Sequence, residues 1–210
     1  MVRIVVVDDH LILIQGIKKL LESRPGLQVV GEAHDGHEGV ELVGRLKPDI
    51  AIVDITMPVL NGLDAARKIA KVSPDTKTIL LTMHKENPYV FEAIEAGVHG
   101  YVIKNQTGGD LLRAIEEVTV GRVYLSPGIS QIVVDAYRNR HKVAADPLTL
   151  REREVLQLIA EGQRTKQIAE RLGISVKTAE SHRTRIMTKL DVHETATLVR
   201  YAIRRGLVDP

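Results

Sequence analysis

The chain has 210 residues, 27% of them charged and 44% hydrophobic, with 3% aromatic and no cysteine. That size holds one large domain or two ordinary ones, with cores built from Leu, Ile, Val and Ala. Without cysteine there are no disulfides or thiolate metal sites, and no apolar run approaches the about 18 residues of a membrane span, so a soluble cytoplasmic protein is expected. The net charge of +2 conceals an asymmetry: residues 1–125 carry 14 Lys+Arg against 17 Asp+Glu, residues 126–146 carry 3 against 2, and residues 147–210 carry 12 against 8. An acidic first part joined to a small basic second part suggests two jobs, the second on a polyanion.

In chain order, Val2–Val7 is continuously apolar and predicts a strand buried on both faces. Leu11 to Leu21 has helical spacing and is broken by "SRPGL". "QVVGEA" predicts a short strand, Glu38 to Leu46 a helix, and "IAIVDI" a third strand. A helix over about 64–72 precedes the strand "KTILLT". Asn87-Pro88 predicts an N-cap and a first-turn proline for a helix that stops before Gly97. "GYVIK" is the fifth strand, and Asp110 to Val120 the fifth helix. Five β–α repeats predict an α/β fold, a flavodoxin-like, doubly wound parallel sheet in the order 2-1-3-4-5.

Ligands of such sheets bind beyond the carboxyl ends of the strands. Asp8 and Asp9 end strand 1, Asp54 ends strand 3, Thr82 ends strand 4 and Lys104 ends strand 5. Any one of these only marks where burial stops, but four strands delivering polar groups to one edge suggest a site. Crowded carboxylates repel one another, and a hard divalent cation with oxygen ligands relieves the repulsion. A carboxylate beside Mg²⁺ and a lysine is suited to accept a phosphoryl group as an acyl phosphate. A Thr82 hydroxyl then has a product phosphate to bond. No glycine-rich nucleotide loop follows strand 1. His10 and His84 lie near the site without the spacing of a zinc cluster, and are read as rim residues.

"VVVDDH", "DITMPVLNG", "LLTMH" and "GYVIK" make residues 1–125 resemble the receiver domain of two-component response regulators. The resemblance implies that Asp54 is the phosphoacceptor and that Asp9, Asp54 and the Thr56 carbonyl hold Mg²⁺, with Asp8 acting largely through water. It further implies that Lys104 pairs with the phosphoryl group, Thr82 is the switch hydroxyl and Tyr101 the coupled aromatic.

Residues 126–146 read as a linker. Ile132, Val133, Ala136 and Tyr137 are at helical spacing, so part of it is a candidate docked helix, and "VAADP" is the more flexible section. From Pro147 the pattern is helical only. Thr149 and Glu152 form a capping-box pair before Val155 and Leu156. Thr165 is placed to cap a short helix carrying Ile168 and Ala169. Ser175 caps one running to about Leu190, with Ala179, Ile186 and Leu190 inward, and a last helix carries Ala196, Val199, Ala202 and Ile203. "TKQIAERLGISVKTAESHRTRI" is a helix, a short turn and a basic helix, the form of a helix-turn-helix reader whose second helix enters a major groove about 12 Å wide.

Residues 147–208, through "LTLREREVLQLIAEGQRTKQIAERLGISVKTAESHRTRIMTKLDVH", resemble the LuxR-type DNA-binding domain, and both resemblances together point to the NarL/FixJ class. By that resemblance Glu180, Ser181 and Thr184 face base edges. Lys166, Lys177, Thr178, His182, Arg185 and Lys189 contact the DNA backbone or brace the helix. The implied partners are duplex DNA, a sensor histidine kinase, a second copy of the chain and RNA polymerase, with no membrane. Val199 and Ala202 are the candidate dimer face, as outer apolar positions of the last helix. Two other readings compete: a regulator whose receiver-like domain is not phosphorylated, and a Mg²⁺-dependent hydrolase of the haloacid-dehalogenase kind. The latter needs an Asp-x-Asp pair after strand 1, whereas Asp8-Asp9 are adjacent and the isolated Asp lies on strand 3.

Overall fold

Ile4 to Val7 are all apolar because side chains alternate across a sheet covered on both faces: Val5 and Val7 pack into one core, Ile4 and Val6 into the other. The computed structural model describes residues 1–83, 87–104, 108–138 and 146–208. The chain divides into two units, Met1–Lys142 and Val143–Pro210. His84, residues 143–145 and the side chains of Asn87, Pro88, Ala136 and Tyr137 lie outside what is described.

The first unit runs β1 (Val2–Val7), α1 (Leu11–Glu22), β2 (Leu27–Ala33), α2 (Gly36–Leu46), β3 (Ile50–Asp54), α3 (Gly62–Val72), β4 (Lys77–Thr82), α4 (Asn87–Glu95), β5 (Gly100–Ile103), α5 (Gly108–Thr119), β6 (Tyr124–Leu125) and α6 (Ile129–Arg138). The strands are parallel in the order β2-β1-β3-β4-β5-β6. The expected 2-1-3-4-5 order is present with β6 added at the edge. Two residues are too few to carry a period, so β6 left no signal in the sequence. Helices α1 and α5 cover one face through Ile14, Ile17, Leu21, Leu111 and Ile115. Val43 of α2, Leu63 and Ile69 of α3 and Val90 of α4 cover the other.

Helix α6 belongs to that second core. Ile129 is buried with Tyr89 and Tyr101, and Ile132 and Val133 pack against the same cluster. Its start is fixed by polar bonds. Tyr124 Oη and Ser126 Oγ both donate to Asp110, and Ser126 Oγ accepts from Ile103 N at 3.2 Å. Burial and the Asp110 bond push the Tyr124 hydroxyl up to about 12.

The second unit is α7 (Leu150–Ala160), α8 (Thr165–Arg171), α9 (Val176–Leu190) and α10 (Thr195–Arg204). The Thr149–Glu152 capping box forms, and Ser175 Oγ accepts from Thr178 N at 3.0 Å. Thr165 does not cap α8. It is the first helical residue, and the preceding Arg164 N–H is satisfied by Gln167 Oε1 at 2.8 Å. The turn before α9 needs Gly173, whose φ of +62° is left-handed. The core joins Val155, Leu156 and Leu158 of α7 to Ile168, Ala179, Ile186, Leu198 and Ala202. Ala202 is thus no outer position: it is 0% exposed, because Leu198 and Ala202, four apart, form the stripe by which α10 covers α7. Among the described residues no helix is long and apolar enough to cross a membrane.

Candidate functional site

Sheet register brings the acids together. Strand β1 pairs with β3 so that Val7 lies beside Val53, which puts Asp8 and Asp54 one step past the same rung. Both have the parity of Val6 and Ile52, and Lys104 has the parity of Val102 on β5. Lys104 Nζ lies 2.8 Å from Asp54 Oδ2 and 2.9 Å from Asp8 Oδ2. Asp8 and Asp54 are buried, while Asp9 is exposed at the rim. Donor atoms of Asp8, Asp9, His10 and Asp54 all lie within 4.8 Å of one another, so the carboxylates converge instead of splaying to opposite sides of the sheet. A set of carboxylate oxygens this compact fits a hard dication.

Burial pushes the Asp54 carboxyl up, Lys104 pulls it down and Asp8 pushes it up again, leaving it at about 6. Burial disfavours the Lys104 ammonium, but Asp54 and Asp8 outweigh that and raise its pKa. The loop after β3 is held tightly beneath the acid. A Cβ at Gly62 would sit 1.9 Å from Asp54 O, so no side chain fits there. Asn61 is buried and caps α3 by accepting from Asp64 N at 3.0 Å. Val59 has a φ of +71°, a strained conformation for a β-branched residue. Thr56 is half-buried in this loop. Thr82 is fully buried at the end of β4, and its carbonyl accepts from Lys104 N at 2.7 Å. Tyr101 is buried on β5, and its carbonyl accepts from Ser126 N at 2.9 Å.

His10 was expected at the rim. Its ring is indeed mostly exposed, yet Nδ1 lies 3.1 Å from Asp8 Oδ1 and 2.9 Å from Asp9 Oδ1. Zinc spacing needs several ligands at set intervals, so a single imidazole beside two acids carries no such signal in the sequence.

On α9, Lys177, Glu180, Ser181, Thr184 and Arg185 are exposed, as is Lys166 on α8. Positions 177, 181, 184 and 188 follow helical spacing along one face. Thr184 Oγ1 donates back to Glu180 O at 3.1 Å, and the Thr178 hydroxyl bonds that of Ser175 at 2.8 Å. His182 is half-buried, and among the described residues its Nδ1 has no hydrogen-bond partner. Within the group expected to contact the DNA backbone or brace the helix, Lys189 makes bracing bonds. Its ammonium donates to Glu152 Oε2 at 2.7 Å and to Pro147 O at 3.3 Å, because the nearly buried Glu152 carboxylate needs a cation. Burial pushes Glu152 up, but bonds from Lys189 and Thr149 hold it below the usual carboxylate range. Arg183 turns to Thr195 Oγ1 at 2.8 Å and braces α9 against the start of α10.

An acid pocket on a doubly wound sheet, followed by a helix-turn-helix with an exposed basic face, defines a two-part regulator. Residues 4–116 match the response regulator receiver domain, and residues 146–202 match the bacterial regulatory proteins of the luxR family. The chain belongs to the response regulators that join these two domains, and it is a transcriptional regulator of that family. It is 38% identical over 216 residues to the oxygen regulatory protein NreC of Staphylococcus haemolyticus, covering 99% of each chain. It is 36% identical over 209 residues to the response regulator UvrY of Escherichia coli, covering 99% of this chain and 96% of that one. Among solved structures it is similar to RcsB of Salmonella enterica serovar Typhimurium bound to promoter rprA in the presence of the phosphomimetic BeF3-, at 28% identity, with a TM-score of 0.64 over 95% of this chain and 97% of that one. These relatives are regulators, which sets the phosphohydrolase reading aside.

Proposed function

We propose that Asp54 accepts a phosphoryl group from a sensor histidine kinase and that this modification controls dimerisation and sequence-specific DNA binding. The observation that carries the reading is the single ammonium of Lys104 within 2.9 Å of carboxylates from β1 and β3. An Asp54 oxygen attacks the phosphorus of the donor phosphohistidine. The P–O bond forms as the P–N bond breaks, and the imidazole leaves. Lys104 exchanges its contact with Asp54 for one with a phosphoryl oxygen. Asp8, Asp9, Asp54 and the Thr56 carbonyl would hold Mg²⁺, which when bound offsets charge on the phosphoryl oxygens. The Thr82 hydroxyl then bonds the phosphoryl group, and Tyr101 couples that movement to the core that also contains Ile129 of α6.

We assign the receiver to residues 1–125, the linker to 126–146 and the DNA-binding domain to 147–210. Glu180, Ser181 and Thr184 read bases, while Lys166, Lys177, Thr178, His182 and Arg185 serve backbone contact or bracing. A module this small makes few phosphate contacts, so two copies on two half-sites strengthen binding through effective concentration. Val199, half-buried, remains as a dimer-face candidate without Ala202. The regulator would act on RNA polymerase at the promoters it binds.

Labelling with acetyl phosphate tests the acceptor. Asp54→Asn abolishes incorporation, and continued labelling of that variant identifies another residue as the acceptor. Duplex selection with the phosphorylated protein tests the readers. Substituting Ser181 or Thr184 changes preference by about 1–3 kcal/mol at a contacted base pair, whereas uniform weakening on every duplex rejects base reading.

A further inference from the structure

Helices α3 and α4 share a buried ion network that no role above uses. We infer that Arg67 is a positioning residue that ties α4 to the loop beneath Asp54, and so carries the phosphorylation signal by a second connection beside Thr82 and Tyr101. This deepens the proposed reading of Asp54 as the acceptor and rests on it.

The network starts at the acceptor's own backbone. Gly62 packs against Asp54 O too closely for any side chain, and its N–H donates to Ile55 O at 2.7 Å. A displacement of the Asp54 backbone therefore moves Gly62 and the neighbouring Asn61. Asn61 is bonded to Asp64 twice: its Oδ1 accepts from Asp64 N and its Nδ2 donates to Asp64 Oδ2, both at 3.0 Å. Arg67 Nη1 donates to the other oxygen, Asp64 Oδ1, at 2.7 Å. Its Nη2 reaches across to Glu92 Oε2 on α4 at 3.2 Å. Residues 61, 64 and 67 lie three apart, which sets them along one face of α3.

Burial makes the connection stiff. Asp64 is 0% and Glu92 3% exposed, and a buried carboxylate needs a cation. The planar guanidinium keeps its charge and bonds through two separate nitrogens, so it holds the two acids at a fixed spacing. Val90 and Ala93, on either side of Glu92, are buried in the core that contains Tyr89, Tyr101 and Ile129. Glu92 thus stands on a helix whose inner face shares a core with Tyr101, while Asp64 stands on the helix that begins under the acceptor. The bond to Glu92 is already at the long end of the hydrogen-bond range, so a small shift between α3 and α4 weakens it.

DNA binding of the full chain before and after treatment with acetyl phosphate and Mg²⁺ tests this, on a duplex selected by the phosphorylated protein. Glu92→Met removes the α4 half of the tie and leaves Arg67 its bond to Asp64. Arg67→Lys keeps the charge but cannot fork between two carboxylates. Both variants take label at Asp54, and in both the gain in DNA affinity on phosphorylation falls at least about threefold. A wild-type gain in Glu92→Met, with only the unfolding midpoint lowered, makes the network merely structural and overturns the inference. Should Glu92→Met not fold, Arg67→Lys decides by the same measurement. No gain in the wild type itself removes the reading of Asp54 as controlling DNA binding, and the inference with it.

Discussion

Charges in the acid pocket and charges on α9 are managed in opposite ways. Side chains of Asp8, Asp54 and Lys104 are 2%, 6% and 11% exposed, and each lies against a charge of opposite sign. Lys177 and Arg185 are exposed on α9. Buried charges interact strongly and must be balanced within the fold, whereas exposed ones are screened by water and salt. Substitutions in the pocket should therefore change stability and chemistry together, while those on the outer face of α9 should change only binding to a polyanion. Lys189 is the useful exception, a cation on α9 bonded inward like a pocket residue.

The largest effect should come from breaking the pocket's balance. Lys104→Met leaves buried carboxylates uncompensated, and the metal-free protein should lose about 3–5 kcal/mol at neutral pH by urea unfolding. Adding Asp54→Asn should recover much of that loss, and strictly additive losses would show that the two groups are not coupled. Next comes the pH dependence. In the folded metal-free protein Asp54 is raised from 3.8 to about 6, so between those values it keeps a proton that the unfolded chain releases. Its stabilising contribution is full below pH 3.8 and is lost as pH rises through about 6. Asp54→Asn should remove that decline, raising stability by an amount on the order of 1–3 kcal/mol above the window and little below it, measured by thermal melts in chelator.

Lys189 and Lys177 sharpen the comparison within one helix. Lys189→Met should destabilise the second unit by about 2 kcal/mol and leave the salt dependence of DNA binding unchanged. Lys177→Met should do the reverse, with stability nearly unaltered and a salt slope lower by about one. If both variants lower the slope equally, the inward bond of Lys189 does not persist on DNA. The smallest effect is expected at Val59, where Val59→Gly relieves the left-handed strain and should stabilise the protein by about 1 kcal/mol in urea unfolding.

Much of this was legible in the sequence because it depends on near neighbours. Continuous apolar runs predicted strands covered on both faces, and strand-end acids fell where such runs stop. The Thr149–Glu152 box and the Ser175 cap are bonds across three residues, within reach of a sequence pattern. Thr165 failed as a cap because two adjacent residues can each begin a helix, and here the Gln167 side chain satisfies the Arg164 N–H.

By itself, then, the sequence determined the periods, the caps and the kinds of side chain delivered to the sheet edge, since these follow from local backbone geometry. Only the tertiary structure decided that Lys104 faces both Asp8 and Asp54, that His10 bends back over two acids, that Lys189 neutralises Glu152 and that Ala202 is covered by α7. A charge finds its partner through sheet register and helix packing across many residues, and a helical stripe is inner or outer only once another helix lies against it.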